Sequence, residues 1–426
     1  MRCSSVLGAL WLTFTTAGAI PTISTKGSKF FTSEGNQWFV RGVAYQLVPD
    51  DPLIDNDQCK LDAALMEELG ANAIRVYHVD PNADHDDCMS TFADAGIYLF
   101  LDLDTFDTQI EQNDAHWNRT QRDAFAKVMD AFYEYDNLAG FFVGNEVLTH
   151  PNGSVAAPFV KAAVRDMKAH RDEKNYRKIP IGYSAADIST LRPNLQNYLA
   201  CGSDRDEAID FFALNAYEWC GETTFAESGY VSLTNEIKNY PVPIFFSETG
   251  CIVPRPRTFD DQPEIYGPRM NQYWSGSIVY EWIEEANNYG IISYGPKVDP
   301  AATDAPPDGF TRSGTPTPVS PDFPNLSSHW ATPLPSGIRE NEYSPNLTPP
   351  PCPPRTSGVW NVDGSAALPS LGQTFNSAAP TVTDDSTSDA APSATPTKTG
   401  AASPAREVKG VAVGLAGVFL GVAWWL

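Results

Sequence analysis

The stretch Phe141-Phe142-Val143-Gly144-Asn145-Glu146 is a short apolar run that ends in an amide and a carboxylate. The stretch Pro243-Ile244-Phe245-Phe246-Ser247-Glu248-Thr249-Gly250 repeats this form further along the chain. Runs that are apolar at every position are typical of strands buried on both faces, as in parallel sheets. Carboxylates at the C-terminal ends of such strands lie where α/β barrels keep their reactive groups. The two stretches therefore predict an α/β barrel with Glu146 and Glu248 on the same face.

Other strand-like runs recur along the chain, and segments with a helical period lie between several of them. Lys60–Leu69 has apolar residues on one face, and Gln121–Tyr135 repeats this pattern with Thr120 as its predicted cap. Eight strands alternating with helices predict a closed (β/α)8 TIM barrel. An open doubly wound sheet is the alternative, but no nucleotide-binding fingerprint supports it. The predicted strands are Trp38–Val43, Ala73–His78, Tyr98–Asp102, Gly140–Asn145, Ile179–Ser184, Phe211–Tyr217, Pro243–Ser247 and Ser277–Glu281.

Both ends of the chain carry targeting patterns. Residues 1–19 combine a positive charge, a short apolar run and the small-residue site Ala17-Gly18-Ala19, which predicts a secretory signal peptide. Residues 401–426 contain a polar spacer and an apolar tail, which predicts a GPI-attachment propeptide after Gly400 or one of the two following alanines. A buried first helix and a short anchor helix are the alternatives. We expect a secreted protein, GPI-anchored at the extracellular face of the plasma membrane and cell wall.

Composition divides the chain between these signals. Residues 20–370 hold the strand and helix patterns and form the predicted catalytic domain, which ends in a proline-rich wrap beyond about Gly295. Residues 371–400 are rich in Ser, Thr, Ala and Pro, which predicts a disordered stalk. The formal net charge of −24 argues against nucleic acid and anionic lipid as partners. A neutral polymer is the easier substrate class.

The seven cysteines suit an oxidising, extracellular location. Cys3 leaves with the signal peptide, and the remaining six predict three disulfides with 15 arithmetically possible pairings. Cys220 and Cys251 each follow a predicted catalytic strand end by three residues. A bridge between them would rigidify the site, although other pairings stay open. The sequence has neither a phosphate loop nor a metal-ligand spacing, so we expect no cofactor and no metal. Predicted N-glycosylation sites are Asn118, Asn152, Asn325 and Asn346.

Two carboxylates are the groups that cleavage of a glycosidic bond requires. We assign Glu146 as the general acid/base and Glu248 as the ionised nucleophile, which in a retaining enzyme lie ~5–5.5 Å apart. Asn145 directly precedes Glu146. In barrel glycosidases an asparagine at this position typically binds the sugar 2-hydroxyl. Tyrosines end three other predicted strands, where a hydroxyl can orient the nucleophile and a ring can stack on a sugar. Core packing is the alternative for these tyrosines, which are Tyr77, Tyr217 and Tyr280.

Three motifs resemble glycoside hydrolase family 72, the fungal GPI-anchored β-1,3-glucanosyltransferases: Phe142–Val147, Asn215–Gly221 and Phe246–Cys251. The resemblance implies a retaining mechanism with Glu146 and Glu248 in the roles given above. On the donor side it implies Tyr77, Asn145, Tyr280, Asp102 and the loop after it, including Asp104 and Gln112. On the acceptor side it implies Asp187 and Arg192. The implied disulfides are Cys59–Cys88, Cys201–Cys352 and Cys220–Cys251.

The resemblance implies an enzyme that cleaves a β-1,3-glucan internally and transfers the new end to another β-1,3-glucan, elongating the cell wall glucan. We expect the single-module subgroup without the cysteine-rich carbohydrate-binding module, and residues 300–321 look like an insertion. Transfer prevails over hydrolysis when an oriented acceptor reaches an effective molarity of ~10⁵ M or more. A β-glucan endo-hydrolase on the same barrel and a catalytically inactive wall-binding protein are the alternatives. The intact pair Glu146 and Glu248 argues against the second alternative.

Overall fold

The computed structural model describes residues 19–47, 51–303 and 305–373. The predicted signal peptide, most of the predicted stalk, Gly400 and the predicted propeptide lie outside the described residues. The boundaries assigned to these segments therefore stay predictions.

Eight parallel strands close into a barrel, which confirms the predicted (β/α)8 architecture. A three-stranded antiparallel sheet precedes the barrel, and a two-stranded ribbon follows it. The strands of the first sheet are β1 (Ile23–Lys26) and β2 (Lys29–Thr32), which form a hairpin, and β3 (Gln37–Trp38). The barrel strands are β4 (Val40–Ala44), β5 (Ala73–Val76), β6 (Tyr98–Asp102), β7 (Leu138–Asn145), β8 (Ile181–Ala186), β9 (Phe211–Asn215), β10 (Ile244–Thr249) and β11 (Trp274–Val279). The ribbon strands are β12 (Ile292–Ser293) and β13 (Thr317–Pro318).

Helices connect the barrel strands and cover the outside of the sheet, as parallel strands require. They are α1 (Asn56–Leu69), α2 (Asp86–Asp94), α3 (Arg119–Phe132), α4 (Ala157–Glu173), α5 (Arg192–Ala200), α6 (Tyr230–Glu236), α7 (Asp261–Ile265) and α8 (Asp322–Trp330). A 3₁₀ turn, Pro151–Ala156, leads into α4. Among the described residues, we find no helix with the length and apolar character that a membrane crossing requires.

The cap predicted for α3 is wrong by two residues. Asn118 accepts a hydrogen bond from the Gln121 amide, and the Gln121 side chain bonds back to the Asn118 amide. This reciprocal capping box satisfies two backbone donors at once, so the helix begins before Thr120.

Aromatic side chains fill the barrel interior at the end opposite the strand C-termini. Phe30 from the hairpin contacts Phe100, Phe211 and Phe245 at centroid distances of 6.0, 5.9 and 5.9 Å. Phe142 joins the same cluster. The hairpin therefore closes the lower end of the barrel, and the open end carries the polar residues.

The barrel closes where the last strand, β11, pairs with the first, β4, and this junction is called the seam here. The register runs from Gly276 opposite Val40 to Val279 opposite Val43. Gly276 has φ +121°, and a Cβ at this position would lie 1.9 Å from the Val40 carbonyl oxygen. Only glycine lets the two strands approach this closely.

The chain beyond α8 wraps around the outside of the barrel. A disulfide joins Cys352 to Cys201 at the end of α5. Trp360 is fully buried against Tyr198, and the Gly372 amide donates to the Trp117 carbonyl at 2.8 Å. These contacts fix the proline-rich segment although it has little regular structure.

Candidate active site

Glu146 stands in a strained backbone conformation directly after β7. Its φ of +49° lies in the left-handed region, which costs a non-glycine residue about 1–3 kcal/mol. The surrounding strands hold this conformation, because the Glu146 amide donates to the Ser184 carbonyl at 2.9 Å. The Glu146 carboxylate accepts a hydrogen bond from Asn215 Nδ2 at 2.9 Å. Strain retained at a strand end is typical of a functional position.

Glu248, on β10, is 8% exposed and receives two phenol hydrogen bonds. Tyr77 donates to Oε1 at 2.9 Å, and Tyr217 donates to Oε2 at 2.8 Å. Burial raises the pKa of Glu248 to about 7, and the Glu146 charge adds to this effect. The Arg75 guanidinium, 3.4 Å from Oε1, opposes the rise together with the two tyrosines. These three partners therefore offset part of the effect of burial, and the pKa of Glu248 still lies above its ordinary value.

Amides and hydroxyls from four strand ends surround Glu146, and Arg75 links them to Glu248, because its Nη1 donates to Ser184 Oγ at 3.2 Å and to Glu248 Oε1 at 3.4 Å. Asn215 Nδ2 donates to Asn145 Oδ1 at 3.0 Å as well as to Glu146. Ser247 donates to Asn215 Oδ1 at 2.7 Å, and Ser184 donates to Asn145 Oδ1 at 2.9 Å. Asn145 and Asn215 are therefore oriented through their oxygens, and the Asn215 amide nitrogen lies at Glu146.

Arg75 and Asp102 form a buried ion pair beside Glu248. Arg75 Nε and Nη2 donate to the two Asp102 oxygens at 3.2 and 2.9 Å. Arg75 is 0% exposed and Asp102 is 2% exposed. The guanidinium also lies 4.2 Å from the Tyr77 ring centroid. Asp102 was predicted to bind substrate, and the structure places its carboxylate against Arg75.

The loop after β6 carries two further predicted residues. Burial, followed by the Asp102 charge, raises the pKa of Asp104 to about 8. Its Oδ1 atom is buried and has no hydrogen-bond partner among the described residues. Gln112 donates to Thr149 Oγ1 at 2.5 Å and accepts from the Thr149 amide at 3.0 Å. Gln112 thus connects this loop to the loop after β7.

The predicted acceptor residues lie one strand further around the barrel. Asp187 follows β8, and its amide donates to the Asn215 carbonyl at 3.2 Å. Arg192, at the start of α5, pairs with both Asp187 and Glu236 at 2.5 Å. Desolvation and a hydrogen bond with Asp187 raise the pKa of Glu218, although this residue keeps contact with solvent. A cluster of three carboxyl groups around one guanidinium therefore borders this side of the cleft.

Tyr280 lies on the opposite side, directly after β11. Gln46 Nε2 donates to the Tyr280 hydroxyl at 3.1 Å. Tyr289 packs edge-on against both Tyr280 and Tyr217, with centroid distances of 5.3 and 5.7 Å. The three rings form an aromatic row that ends at the hydroxyl bonded to Glu248.

The residues that sequence reasoning missed come from strands distant in sequence. Arg75 carried a signal, because a charge in the middle of the apolar run Ala73–Val76 must have a buried partner. Asn215 stood in a quoted motif without an assigned role. Ser184 and Gln46 gave no local signal.

All three expected disulfides are present, which closes the pairing question left open by the sequence. Their sulfur–sulfur distances are 2.11, 1.96 and 2.06 Å for Cys59–Cys88, Cys201–Cys352 and Cys220–Cys251. The last of these joins the segments that follow Tyr217 and Glu248, at the rim of the site.

The predicted glycosylation sites differ in their surroundings. Asn152 and Asn346 are exposed, and Asn118 is the partly buried cap of α3. Asn325 Nδ2, the atom that a glycan would modify, donates to the Arg257 carbonyl at 2.7 Å. Glycosylation at each position stays a prediction. In the part of the chain that the structure describes, no group of three or more His, Cys, Asp or Glu residues is arranged to hold a metal ion.

Paired glutamates at the C-terminal end of a (β/α)8 barrel define a glycoside hydrolase class of protein. The chain belongs to glycoside hydrolase family 72, because the family model described as glucanosyltransferase matches residues 12–304.

Individual relatives agree with this assignment. Protein EPD1 of Candida maltosa is 45% identical over 298 residues, which cover 68% of this chain and 54% of that protein. The chain thus spans about half the length of this relative. The 1,3-beta-glucanosyltransferase gas2 of Schizosaccharomyces pombe is 38% identical over 362 residues, covering 81% of this chain and 74% of that protein.

A solved structure is similar along most of the barrel. It is a mutant of Saccharomyces cerevisiae Gas2p in complex with laminaritetraose and laminaripentaose. The TM-score is 0.72 at 38% identity, over 82% of this chain and 74% of that chain.

Proposed function

We propose that this protein is a retaining β-1,3-glucanosyltransferase that cleaves a β-1,3-glucan internally and joins the new end to another β-1,3-glucan. The observation that carries the proposal is the arrangement around the two glutamates. Glu248 is held by Tyr77, Tyr217 and Arg75, while Glu146 is held by Asn215. Family membership and the relatives named as 1,3-beta-glucanosyltransferases support the same reaction.

The first step forms a covalent glycosyl-enzyme. A Glu248 oxygen attacks the anomeric carbon while Glu146 gives its proton to the departing glycosidic oxygen. The bond to the reducing-end piece breaks, and that piece leaves with the proton. In the second step Glu146 takes the proton of an acceptor hydroxyl, whose oxygen displaces Glu248 from the anomeric carbon.

The surrounding residues keep Glu248 reactive. The Tyr77 and Tyr217 hydroxyls and the Arg75 guanidinium all favour its charged form. We assign Asp102 a positioning role, since its carboxylate fixes the Arg75 guanidinium through a two-point contact. Asn145, whose oxygen is occupied by Asn215 and Ser184, is oriented to donate from its amide to a sugar hydroxyl.

The donor and acceptor chains occupy opposite sides of the glutamates in this proposal. Tyr280 supplies an aromatic surface on the donor side, where Gln112 shapes the loop after β6. Asp104, whose buried Oδ1 has no hydrogen-bond partner among the described residues, offers a hydrogen-bonding group on the same side. Asp187 and Arg192 contact the acceptor glucan on the other side. Binding and orientation of the acceptor give a sugar hydroxyl the advantage over water.

The cellular setting belongs to the proposal as well. Secretion, GPI attachment at Gly400 and residence at the plasma membrane and cell wall rest on the terminal sequence patterns. The donor and acceptor glucans are then components of the wall in which the protein lies. A neutral glucan also suits a chain with a net charge of −24, which would repel anionic polymers.

The test is to incubate the purified protein with a reduced linear β-1,3-gluco-oligosaccharide and to size the products. We expect products longer than the starting chain, and a loss of turnover of about 10²–10⁴ in Glu146→Gln. Glu248→Gln should lose the covalent intermediate altogether. If all products are shorter than the starting chain, the protein is an endo-hydrolase and the proposal is wrong. Glucan binding without any product would favour a wall-binding protein.

A further inference from the structure

A fully buried glutamate lies at the seam, and the mechanism above does not use it. Glu281 follows Tyr280, is 0% exposed and lies just beyond the end of β11. Its carboxylate accepts hydrogen bonds from Gln46 Nε2 at 3.2 Å and from Asn287 Nδ2 at 2.7 Å. No salt bridge among the described residues includes Glu281, and burial, followed by the charge of nearby Glu285, raises the pKa of its carboxyl well above the usual range. A buried carboxylate is costly and is retained where its contacts serve a purpose.

Glu281 fixes which way the Gln46 amide points. Glu281 faces two side-chain amide nitrogens, which only donate, so the Gln46 amide presents its nitrogen to a Glu281 oxygen. The same nitrogen also donates to the Tyr280 hydroxyl at 3.1 Å. Because the nitrogen is occupied twice, the Gln46 oxygen is the atom that remains to accept a hydrogen bond in the cleft.

Glu281 also holds the aromatic row of Tyr217, Tyr280 and Tyr289. Burial, followed by the charge of Glu281, raises the pKa of Tyr280, which keeps this side chain a neutral hydroxyl. The Glu281 amide donates to the Tyr289 carbonyl at 3.1 Å. Tyr289 in turn packs between Tyr280 and Tyr217. One residue therefore contacts two members of the row through its backbone and side chain.

A second buried carboxylate anchors the same strand ends on the outer side of the barrel. Asp62 of α1 accepts hydrogen bonds from Tyr45 at 2.8 Å and from Trp282 at 3.1 Å. These two residues are the chain neighbours of Gln46 and Glu281. The backbone of the seam is thus fixed from outside by Asp62, which leaves Glu281 to orient side chains within the cleft.

We propose that Glu281 is a positioning residue that orients Gln46 and Tyr280 to hold the donor glucan. This inference rests on the proposed function, since it assigns these two side chains to the donor side of the same cleft. Glu281 does not touch the reacting atoms. It acts by fixing the direction of one amide and one hydroxyl before the glucan binds, so that binding does not have to order them.

The decisive variant is Glu281→Gln, which keeps the size of the side chain and replaces one acceptor oxygen by a donor. The new amide cannot accept from both Gln46 and Asn287, so one buried donor loses its partner. We expect KM for a β-1,3-gluco-oligosaccharide donor to rise about 10- to 100-fold, with a much smaller change in kcat. The matched control is Glu264→Gln, the same chemical change on a residue of α7 whose partner is Arg269. This control should leave KM unchanged.

A charge-conserving exchange, Glu281→Gln with Gln46→Glu, separates positioning from a merely structural role. The exchange again places a hydrogen-bond donor opposite an acceptor across the pair. We therefore expect the affinity for the glucan donor to recover by more than half of its loss on a logarithmic scale. Melting temperatures of all variants show whether each is folded. A folded Glu281→Gln variant with unchanged KM would overturn the inference, and so would an equal rise of KM in Glu264→Gln. A folded double variant without recovery would overturn it as well.

Binding keeps this test independent of the proposed function. Laminaripentaose binding is measured by calorimetry in Glu146→Gln with and without Glu281→Gln. If the wild-type protein forms no products longer than the starting oligosaccharide, the proposed transferase activity is refuted. Weaker binding caused by Glu281→Gln would still support the positioning role in a hydrolase or a wall-binding protein, and equal binding would refute it.

Discussion

The hydroxyl of Tyr217 is expected to control the acidic side of the pH profile. It donates to Glu248 Oε2 at 2.8 Å, opposite the oxygen bound by Tyr77 and Arg75. Tyr217→Phe removes this donor and keeps the ring that packs against Tyr289. The carboxylate form of Glu248 loses a hydrogen bond, while its protonated form loses much less. The pKa of Glu248 should therefore rise further.

The magnitude follows from the energy of one hydrogen bond to a charged group. Such a bond is worth about 1.5–3 kcal/mol, which moves the midpoint of the acidic limb up by about one to two pH units. The starting pKa of Glu248 is about 7. At pH 6 the variant should then lose about 10- to 100-fold in kcat/KM, and at pH 9 only about twofold.

The assay measures kcat/KM for glucan cleavage between pH 5 and 9, because this quantity reports the ionisation of the free enzyme. The ratio of variant to wild type cancels any other group that titrates in both proteins. Tyr289→Phe is the control, since it alters a neighbouring ring and should leave the midpoint of the acidic limb of the pH profile unchanged. A ratio for Tyr217→Phe that stays constant across this range would refute the reasoning, even if activity is low.

Two further predictions concern stability. The pKa of Glu248 is about 7 in the folded protein against 4.5 when unperturbed, so its favourable contribution is complete below pH 4.5 and is lost as pH rises through 7. The free energy of unfolding of Glu248→Gln should therefore exceed that of the wild type by up to about 3 kcal/mol at pH 8. The two curves of unfolding free energy against pH should converge near pH 4. A variant less stable than the wild type at pH 8 would contradict this. Replacing Cys220 and Cys251 by alanine opens a link across a sequence separation of 31 and should cost about 3–4 kcal/mol in denaturant unfolding. An unchanged midpoint would show that this bridge does not restrain the unfolded chain.

Much of the fold could be predicted because its signals are local. Apolar runs such as Phe141–Val143 and the helical period of Gln121–Tyr135 depend on neighbours in sequence. The positions of Glu146 and Glu248 followed from the same runs, since a strand end is visible in the sequence. The α3 cap was missed although its capping box is local, because Thr120 and Asn118 are both good cap residues and only the geometry selects between them.

The sequence by itself determined the barrel, the two glutamates and the tyrosines at the strand ends, because periodicity and residue type carry that information along the chain. Only the tertiary structure decided the contacts between strands. Arg75 binds Glu248, Asn215 binds Glu146, and Glu281 meets Gln46 across the seam. These pairs are distant in sequence and become neighbours when the strands close into a barrel. Their hydrogen bonds depend on register and side-chain direction, which no single segment specifies.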